Sequence, residues 1–141
     1  ACSLPANLLS HLDIITPNET ETEILTGILP DTEDKAYQAA RSLQQQGVKT
    51  VLITLGSRGA FLVADGKPTH IPAPSVTVKD TTAAGDAFNG ALASALSAGQ
   101  SLEDAVKFAN GAGALSVTKQ GAQPAIPTKL DIDNIIINSI L

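Results

Sequence analysis

Residues Thr50–Leu55 read Thr-Val-Leu-Ile-Thr-Leu, a β-branched, apolar run with no alternation. A strand that is apolar on both sides needs cover on both faces, so this run calls for a sheet buried between layers. Gly56-Ser57-Arg58-Gly59 comes next as a tight turn, because two glycines admit positive φ. Ala60–Ala64 then returns as the second arm of a hairpin. Asp65-Gly66 is a hairpin-turn dipeptide, and Thr69–Ile71 is the next strand. Pro72 and Pro74 make an edge or linker of the segment after that strand.

The flanking segments alternate between strand and helix signals. Leu4–Leu12 carries a short helical pattern. Leu12-Asp13-Ile14-Ile15 reads as a short buried strand that Pro17 ends. Asn18 stands as a helix N-cap with Glu19 and Glu21 in the first turn, and Gly27 stops that helix. Pro30-Asp31-Thr32 opens the next helix, with Asp31 as N-cap and Asp34 completing a capping box. Ala36, Ala39, Ala40 and Leu43 form its apolar stripe, and Gly47 closes it. The extended run Val76-Thr77-Val78 leads into a helix over 84–98 that Gly99 ends. Ser101 with Asp104 caps a helix whose Leu102, Ala105, Val106 and Ala109 face a core. Gly111 and Gly113 within it cost about 1 kcal/mol each against alanine. They mark either close helix packing or the approach of a ligand. Thr118–Gly121 is a loop, Pro124 and Pro127 stiffen the next segment, and Thr128 with Asp131 caps a last helix through Ile140. The order β-α-α-β-β-β-α-α-α is that of an α/β sheet covered on both faces. Ligands of such sheets sit beyond the carboxyl ends of strands, which selects the loops after Ile15, Leu55 and Val78.

Composition removes several function classes. The chain has 141 residues, 43% hydrophobic and 16% charged, too apolar for disorder and long enough for one core. A net charge of −5 without a basic cluster argues against nucleic acid or an anionic membrane as partner. The apolar runs are too short to span a bilayer. Cys2 is a lone cysteine and supports neither an internal disulfide nor a zinc site. A cytoplasmic setting is the expectation. The chain contains no methionine and begins Ala-Cys-Ser-Leu-Pro. That reads as the middle of a connection in a longer protein, or as a processed amino terminus.

The stretch Asp80-Thr81-Thr82-Ala83-Ala84-Gly85-Asp86-Ala87-Phe88 places small residues where a helix begins. The first amides of a helix lack intrahelical partners and can close on an anion. Asp86 in that first turn complements the helix dipole, or orients an alcohol toward a bound phosphoryl group as a base. Asn18 and Glu21, spaced i, i+3, either cap their helix or hold magnesium. Thr54-Leu55-Gly56-Ser57-Arg58-Gly59 is either an ordinary glycine hairpin or a backbone surface for a nucleotide, with Arg58 or Ser57 reaching phosphate. The Walker pattern and the protein-kinase motifs are absent. Asp80 is an Asx-turn residue or part of a site with the loop Lys119–Gln123. His11 and His70 read as surface or strand residues, and Lys119 as solvated.

Together these motifs resemble the ribokinase family of carbohydrate kinases, over nearly the whole chain. Asp80–Phe88 is similar to that family's carboxyl-side signature, Asp13–Glu21 to its metal and phosphate motif, and Thr54–Gly59 to its nucleotide loop. The family usually has glycine at position 83. Alanine there, with Gly121-Ala122-Gln123-Pro124, looks more like its ribose-specific members than its fructose or nucleoside members. The resemblance implies a Rossmann-like three-layer α/β/α sheet, here as an incomplete, carboxyl-terminal, nucleotide-binding part. It implies ATP-dependent phosphorylation of the 5-hydroxyl of D-ribose. Asp86 would be the base that meets the sugar, and the amides of Ala83, Ala84 and Gly85 the anion hole. Asn18, Thr54, Leu55, Gly56, Ser57, Arg58, Gly59, Gly85 and Asn110 would contact ATP. Glu21 would position Mg2+, through water. Asp80, Thr82, Ser116, Lys119, Gly121 and Ala125 would hold K+, mostly by backbone carbonyls.

The family's amino half, with the sugar site and the lid strands of its dimers, has no counterpart in these residues. The chain alone is therefore expected to have little or no kinase activity. Two other functions fit the same loops: a kinase for another sugar or nucleoside, and a non-catalytic nucleotide or sugar-phosphate binding module.

Overall fold

The computed structural model describes residues 6–140 and divides at His70–Ile71 into two units. Each unit is described by itself. Cys2 and the start of the Leu4–Leu12 pattern lie outside the described residues; of the remainder, Ala6–Leu9 forms helix α1 and Ser10–Leu12 is not helical.

The first unit is built on a sheet of order β1-β2-β3-β4: Ile14–Ile15, Thr50–Thr54, Ala60–Ala64 and Lys67–Ile71. β1 runs parallel to β2, pairing Ile14 with Thr50 and Ile15 with Val51. β2 and β3 pair antiparallel, from Val51–Val63 to Thr54–Ala60. The hairpin between β3 and β4 turns at Asp65 and Gly66, both at positive φ (49° and 73°), as a two-residue loop requires. Val51, Leu52 and Ile53 are consecutive and fully buried, so β2 is covered on both faces, as its unbroken apolar run demands. β1 departs from expectation. Ile14 and Ile15 are only half-buried, because β1 is two residues long at the edge of the described sheet.

Helix α2, Glu19–Thr26, ends at Gly27 with φ 74°, a conformation that glycine adopts without steric cost. Helix α3, Glu33–Gln45, buries Ala36, Ala39, Ala40 and Leu43 completely, the i, i+3, i+4, i+7 stripe read from the sequence. Against it pack Val51, Ile53, Phe61 and Val63 of the sheet, with Leu9 of α1 and Val48. Three alanines let α3 lie close to the sheet, and Leu43 supplies bulk worth about 2 kcal/mol of burial. The N-cap of α3 is Thr32, not Asp31: the Thr32 hydroxyl accepts from the Lys35 amide at 3.3 Å. Asp31 instead pairs with the Lys35 ammonium at 2.8 Å.

The second unit holds α4 (Ala84–Ser97), α5 (Leu102–Ser116) and α6 (Lys129–Ile140). Helix α5 is its core, with Ala105, Val106, Phe108, Ala109, Ala112 and Ala114 buried. A Cβ at Gly111 would lie 3.0 Å from Ile132 and 3.2 Å from Ile136 of α6, so this glycine answers to helix packing. At Gly113 a Cβ would come no nearer than 3.6 Å, to the Ala84 carbonyl. The run Val76–Val78 forms no strand. Its continuation is held instead by the Val117 carbonyl, which accepts from the amides of Lys79 (2.7 Å) and Asp80 (3.2 Å). No helix among the described residues is long and apolar enough to cross a membrane.

Candidate active site

Because β1 and β2 are parallel, the loops that leave their carboxyl ends emerge at the same end of the sheet. There Asn18 bridges Thr54 in parallel register, and the Thr54 amide donates to the Pro17 carbonyl at 2.9 Å. The first unit thus brings together two of the motifs, Asn18–Glu21 and Thr54–Gly59. Asn18 and Glu21 form a reciprocal capping box. The Glu21 amide donates to Asn18 Oδ1 at 2.9 Å, and the Asn18 amide donates to Glu21 Oε2 at 2.9 Å. The capping reading is therefore present in the geometry. Glu21 Oε1 stays outside the box, an oxygen suited to a hard cation that keeps much of its water. The described residues contain no group of three or more His, Cys, Asp or Glu side chains placed to hold a metal. The donor set thus fits Mg2+ only as a hydrated ion.

The Thr54–Gly59 loop is one turn of 3-10 helix over Gly56–Arg58, closed by Gly59 at φ 94°. Leu55 and Gly59 are buried, while Gly56, Ser57 and Arg58 are exposed. The Arg58 side chain does not extend freely into solvent. It pairs with Glu19 Oε1 at 2.6 Å and donates to the carbonyls of Asp31 (3.0 Å) and Pro30 (3.2 Å). Of the histidines, His70 lies 2.7 Å from the Arg58 carbonyl and His11 lies 2.7 Å from the Asn7 carbonyl.

In the second unit the decisive feature is the start of α4. Helices α2, α3, α5 and α6 begin on side-chain caps, from Asn18, Thr32, Ser101 and Thr128. Helix α4 begins on Ala83, which has no side chain to cap it. The Ala84 amide donates to the Thr81 carbonyl at 3.2 Å, and the α-helical ladder resumes with Ala87 donating to Ala83 at 2.9 Å. The amides of Gly85 and Asp86 lie between and have no backbone or side-chain acceptor among the described residues. Of the expected set, the Gly85 amide has no acceptor among the described residues, the Ala84 amide is engaged by Thr81, and Ala83 is a buried residue whose amide likewise has no acceptor among them. A Cβ at Gly85 would meet nothing within 4 Å, and its φ is not positive. The fold does not require glycine there. Asp86 is exposed in the same first turn.

Just before this helix, Asp80 ties two loops together. Its Oδ1 accepts from the Thr82 hydroxyl (2.6 Å) and amide (2.9 Å), and its Oδ2 accepts from the Gly121 amide (3.0 Å). The Thr82 hydroxyl first, then the two amides, pull its pKa down to about 2. The structure thus gathers Asp80, Thr82 and Gly121. Ser116 is buried and donates to the Gly113 carbonyl at 2.8 Å; Ala125 is buried, and Lys119 is exposed. A carboxylate held ionised by hydroxyl and amide donors from two loops is a hard anionic oxygen donor, a chemistry compatible with a hard cation. Asn110 is buried, and its amide nitrogen donates to the carbonyls of Ile71 (2.9 Å) and Pro72 (3.3 Å). It holds the backbone entering this unit. Sequence reasoning did not find Val117, whose carbonyl fixes Lys79 and Asp80, and no signal in an apolar residue discloses such a bond.

The first unit thus carries an α/β sheet, and the second an uncapped, glycine-bearing helix start beside an acid. The pattern of the pfkB family of carbohydrate kinases matches residues 1–129, and the chain belongs to that family. Within it, the chain is 49% identical over 126 residues to the ribokinase of Haemophilus influenzae, covering 89% of this chain and 41% of that protein. It is 45% identical to the ribokinase of Staphylococcus aureus, covering 96% of this chain and 45% of that one. The solved structure of Arabidopsis thaliana ribokinase complexed with ribose and ATP superposes with a TM-score of 0.89 at 39% identity, over 95% of this chain and 44% of that one. The fold is accordingly the α/β ribokinase fold, and the chain spans less than half the length of these relatives.

Proposed function

We propose that this chain is the nucleotide-side portion of an ATP-dependent ribokinase, which transfers the γ-phosphoryl group of ATP to the 5-hydroxyl of D-ribose. The observation that carries the reading is the open start of α4: amides of Gly85 and Asp86 with no acceptor among the described residues, an empty space where a Cβ would stand at Gly85, and an exposed carboxylate one residue on. The likeness to a ribokinase solved with ribose and ATP supports it.

In this reading Asp86 accepts the proton of the sugar hydroxyl as the hydroxyl oxygen attacks phosphorus. A strong base is not needed, because the phosphoryl transition state is loose and the proton leaves late. The amides at the start of α4 hold the equatorial oxygens where negative charge collects. The loop Thr54–Gly59 presents backbone to the nucleotide. Asn18 and Glu21 would hold Mg2+ through water, and that ion supplies charge neutralisation on the phosphates. Asp80, Thr82 and Gly121, with carbonyls of their neighbours, would hold K+, whose positive charge would add to the field that binds the phosphoryl group. Asn110 serves by fixing the backbone at Ile71–Pro72.

The test is ATP turnover by the whole protein against a panel of ribose, deoxyribose, fructose and nucleosides, in K+ and in Na+. Ribose-dependent ADP release that is faster in K+ is expected. A faster rate with another alcohol overturns the substrate, and indifference to K+ over Na+ overturns the cation site.

A further inference from the structure

Arg58 is the one cation in the Thr54–Gly59 loop, which makes phosphate its obvious partner. Its geometry points elsewhere. Nη2 lies 2.6 Å from Glu19 Oε1 and 3.2 Å from the Pro30 carbonyl, and Nη1 lies 3.0 Å from the Asp31 carbonyl. The acceptors come from the first turn of α2 and from the segment before α3, between 27 and 39 residues away in sequence. The backbone of the same residue is also held. The Arg58 carbonyl lies 2.7 Å from His70 Nε2, and since a carbonyl only accepts, Nε2 donates. His70 is in turn placed beside Glu33, with Nδ1 3.1 Å from Oε1. One residue of the loop is thus fixed by side chain and by backbone. Glu19 follows Asn18, whose own backbone bridges Thr54, so the clamp joins both ends of the loop to one helix start.

We propose that Arg58 is a positioning residue: it fixes Gly56–Gly59 against α2 so that the loop backbone meets the nucleotide, and it does not itself bind phosphate. This rests on the reading of Thr54–Gly59 as the nucleotide loop. The planar guanidinium suits the task because it reaches three acceptors in a fixed fork, which the point charge of lysine cannot match. Reaching a phosphate would break all three contacts at once.

Two measurements on the whole protein decide it: amide hydrogen exchange at Gly56–Gly59 without nucleotide, and MgATP affinity by calorimetry, each for wild type, Arg58→Lys, Arg58→Ala and Glu19→Gln. Losing charge-assisted bonds that fix the loop is expected to speed exchange and weaken ATP by about tenfold in both Arg58 variants. Lysine does not rescue. Glu19→Gln discriminates by sign: a clamp predicts weaker ATP binding, whereas a phosphate-binding arginine released from its carboxylate would bind ATP more tightly. Unchanged exchange, rescue by lysine, or tighter binding in Glu19→Gln each overturns the proposal. A wild type without ATP affinity overturns the nucleotide reading instead, and the exchange measurement still decides the clamp.

Discussion

The starts of α2 and α4 are built from the same backbone and put to opposite uses. At α2 the box between Asn18 and Glu21 satisfies the orphan amides with side chains 2.9 Å away in both directions. At α4 no side chain caps, and among the described residues the Gly85 and Asp86 amides have no acceptor. A capped start contributes stability. An uncapped one forgoes about 1 kcal/mol and keeps donors for something that is not protein. The two glycines nearest these helices teach the same lesson. Gly27 is demanded by its φ of 74°, whereas Gly85 has neither a positive φ nor a crowding neighbour. The first serves the fold, and the second has no role in the fold that the backbone discloses.

The comparison can be broken most sharply at Asp86. In the whole protein Asp86→Asn is expected to lower kcat by about a thousandfold, the scale of a lost general base, while ATP affinity is kept. Steady-state kinetics with calorimetry measures both, and an unchanged kcat refutes the base assignment. At the other helix, Gly27→Ala is expected to destabilise the protein by about 1 kcal/mol or more, because alanine is strained at that φ. Asn18→Ala is expected to cost about 1 kcal/mol of stability through the lost cap, read from the urea midpoint. A loss of MgATP affinity larger than this would show that Asn18 also serves the ligand.

A smaller effect is expected at Asp80. Its pKa is lowered from 3.8 to about 2 in the folded chain. The folded state therefore binds the proton less readily than the unfolded one. The stabilisation is fully present above the unfolded value and is lost as pH falls from about 4 toward about 2. Urea midpoints across that window should fall less steeply in Asp80→Asn than in wild type. Equal slopes would mean that the bonds from Thr82 and Gly121 are not kept in solution.

Much of this was legible in the sequence because the signals were local. The unbroken run of β2, the alanine stripe of α3, the Asp65-Gly66 turn and the caps at Asn18, Ser101 and Thr128 all rest on neighbours within a few residues. The misreadings mark where locality ends. Asp31 and Thr32 are both good N-caps, and the tie was broken by Lys35, whose ammonium takes Asp31 while its amide takes Thr32. Glu19, 39 residues from Arg58, gives no sign in the sequence of lying beside it. Val76–Val78 has strand composition, yet it gains no ladder partner and passes its chain to the Val117 carbonyl. At α4 the small residues mark where the helix begins, while the Ala84 amide is engaged by a bond to Thr81 that the sequence does not disclose.

The central claim is that α4 is left uncapped to receive a phosphoryl group, and Gly85→Ala in the whole protein tests it most directly. A Cβ there has open space on the protein side, and alanine favours a helix over glycine by about 1 kcal/mol. The account predicts a melting temperature unchanged or raised, together with a rate of phosphoryl transfer lowered at least tenfold, about the effect of displacing one anion-hole donor or more. A variant that is equally stable and fully active would contradict it.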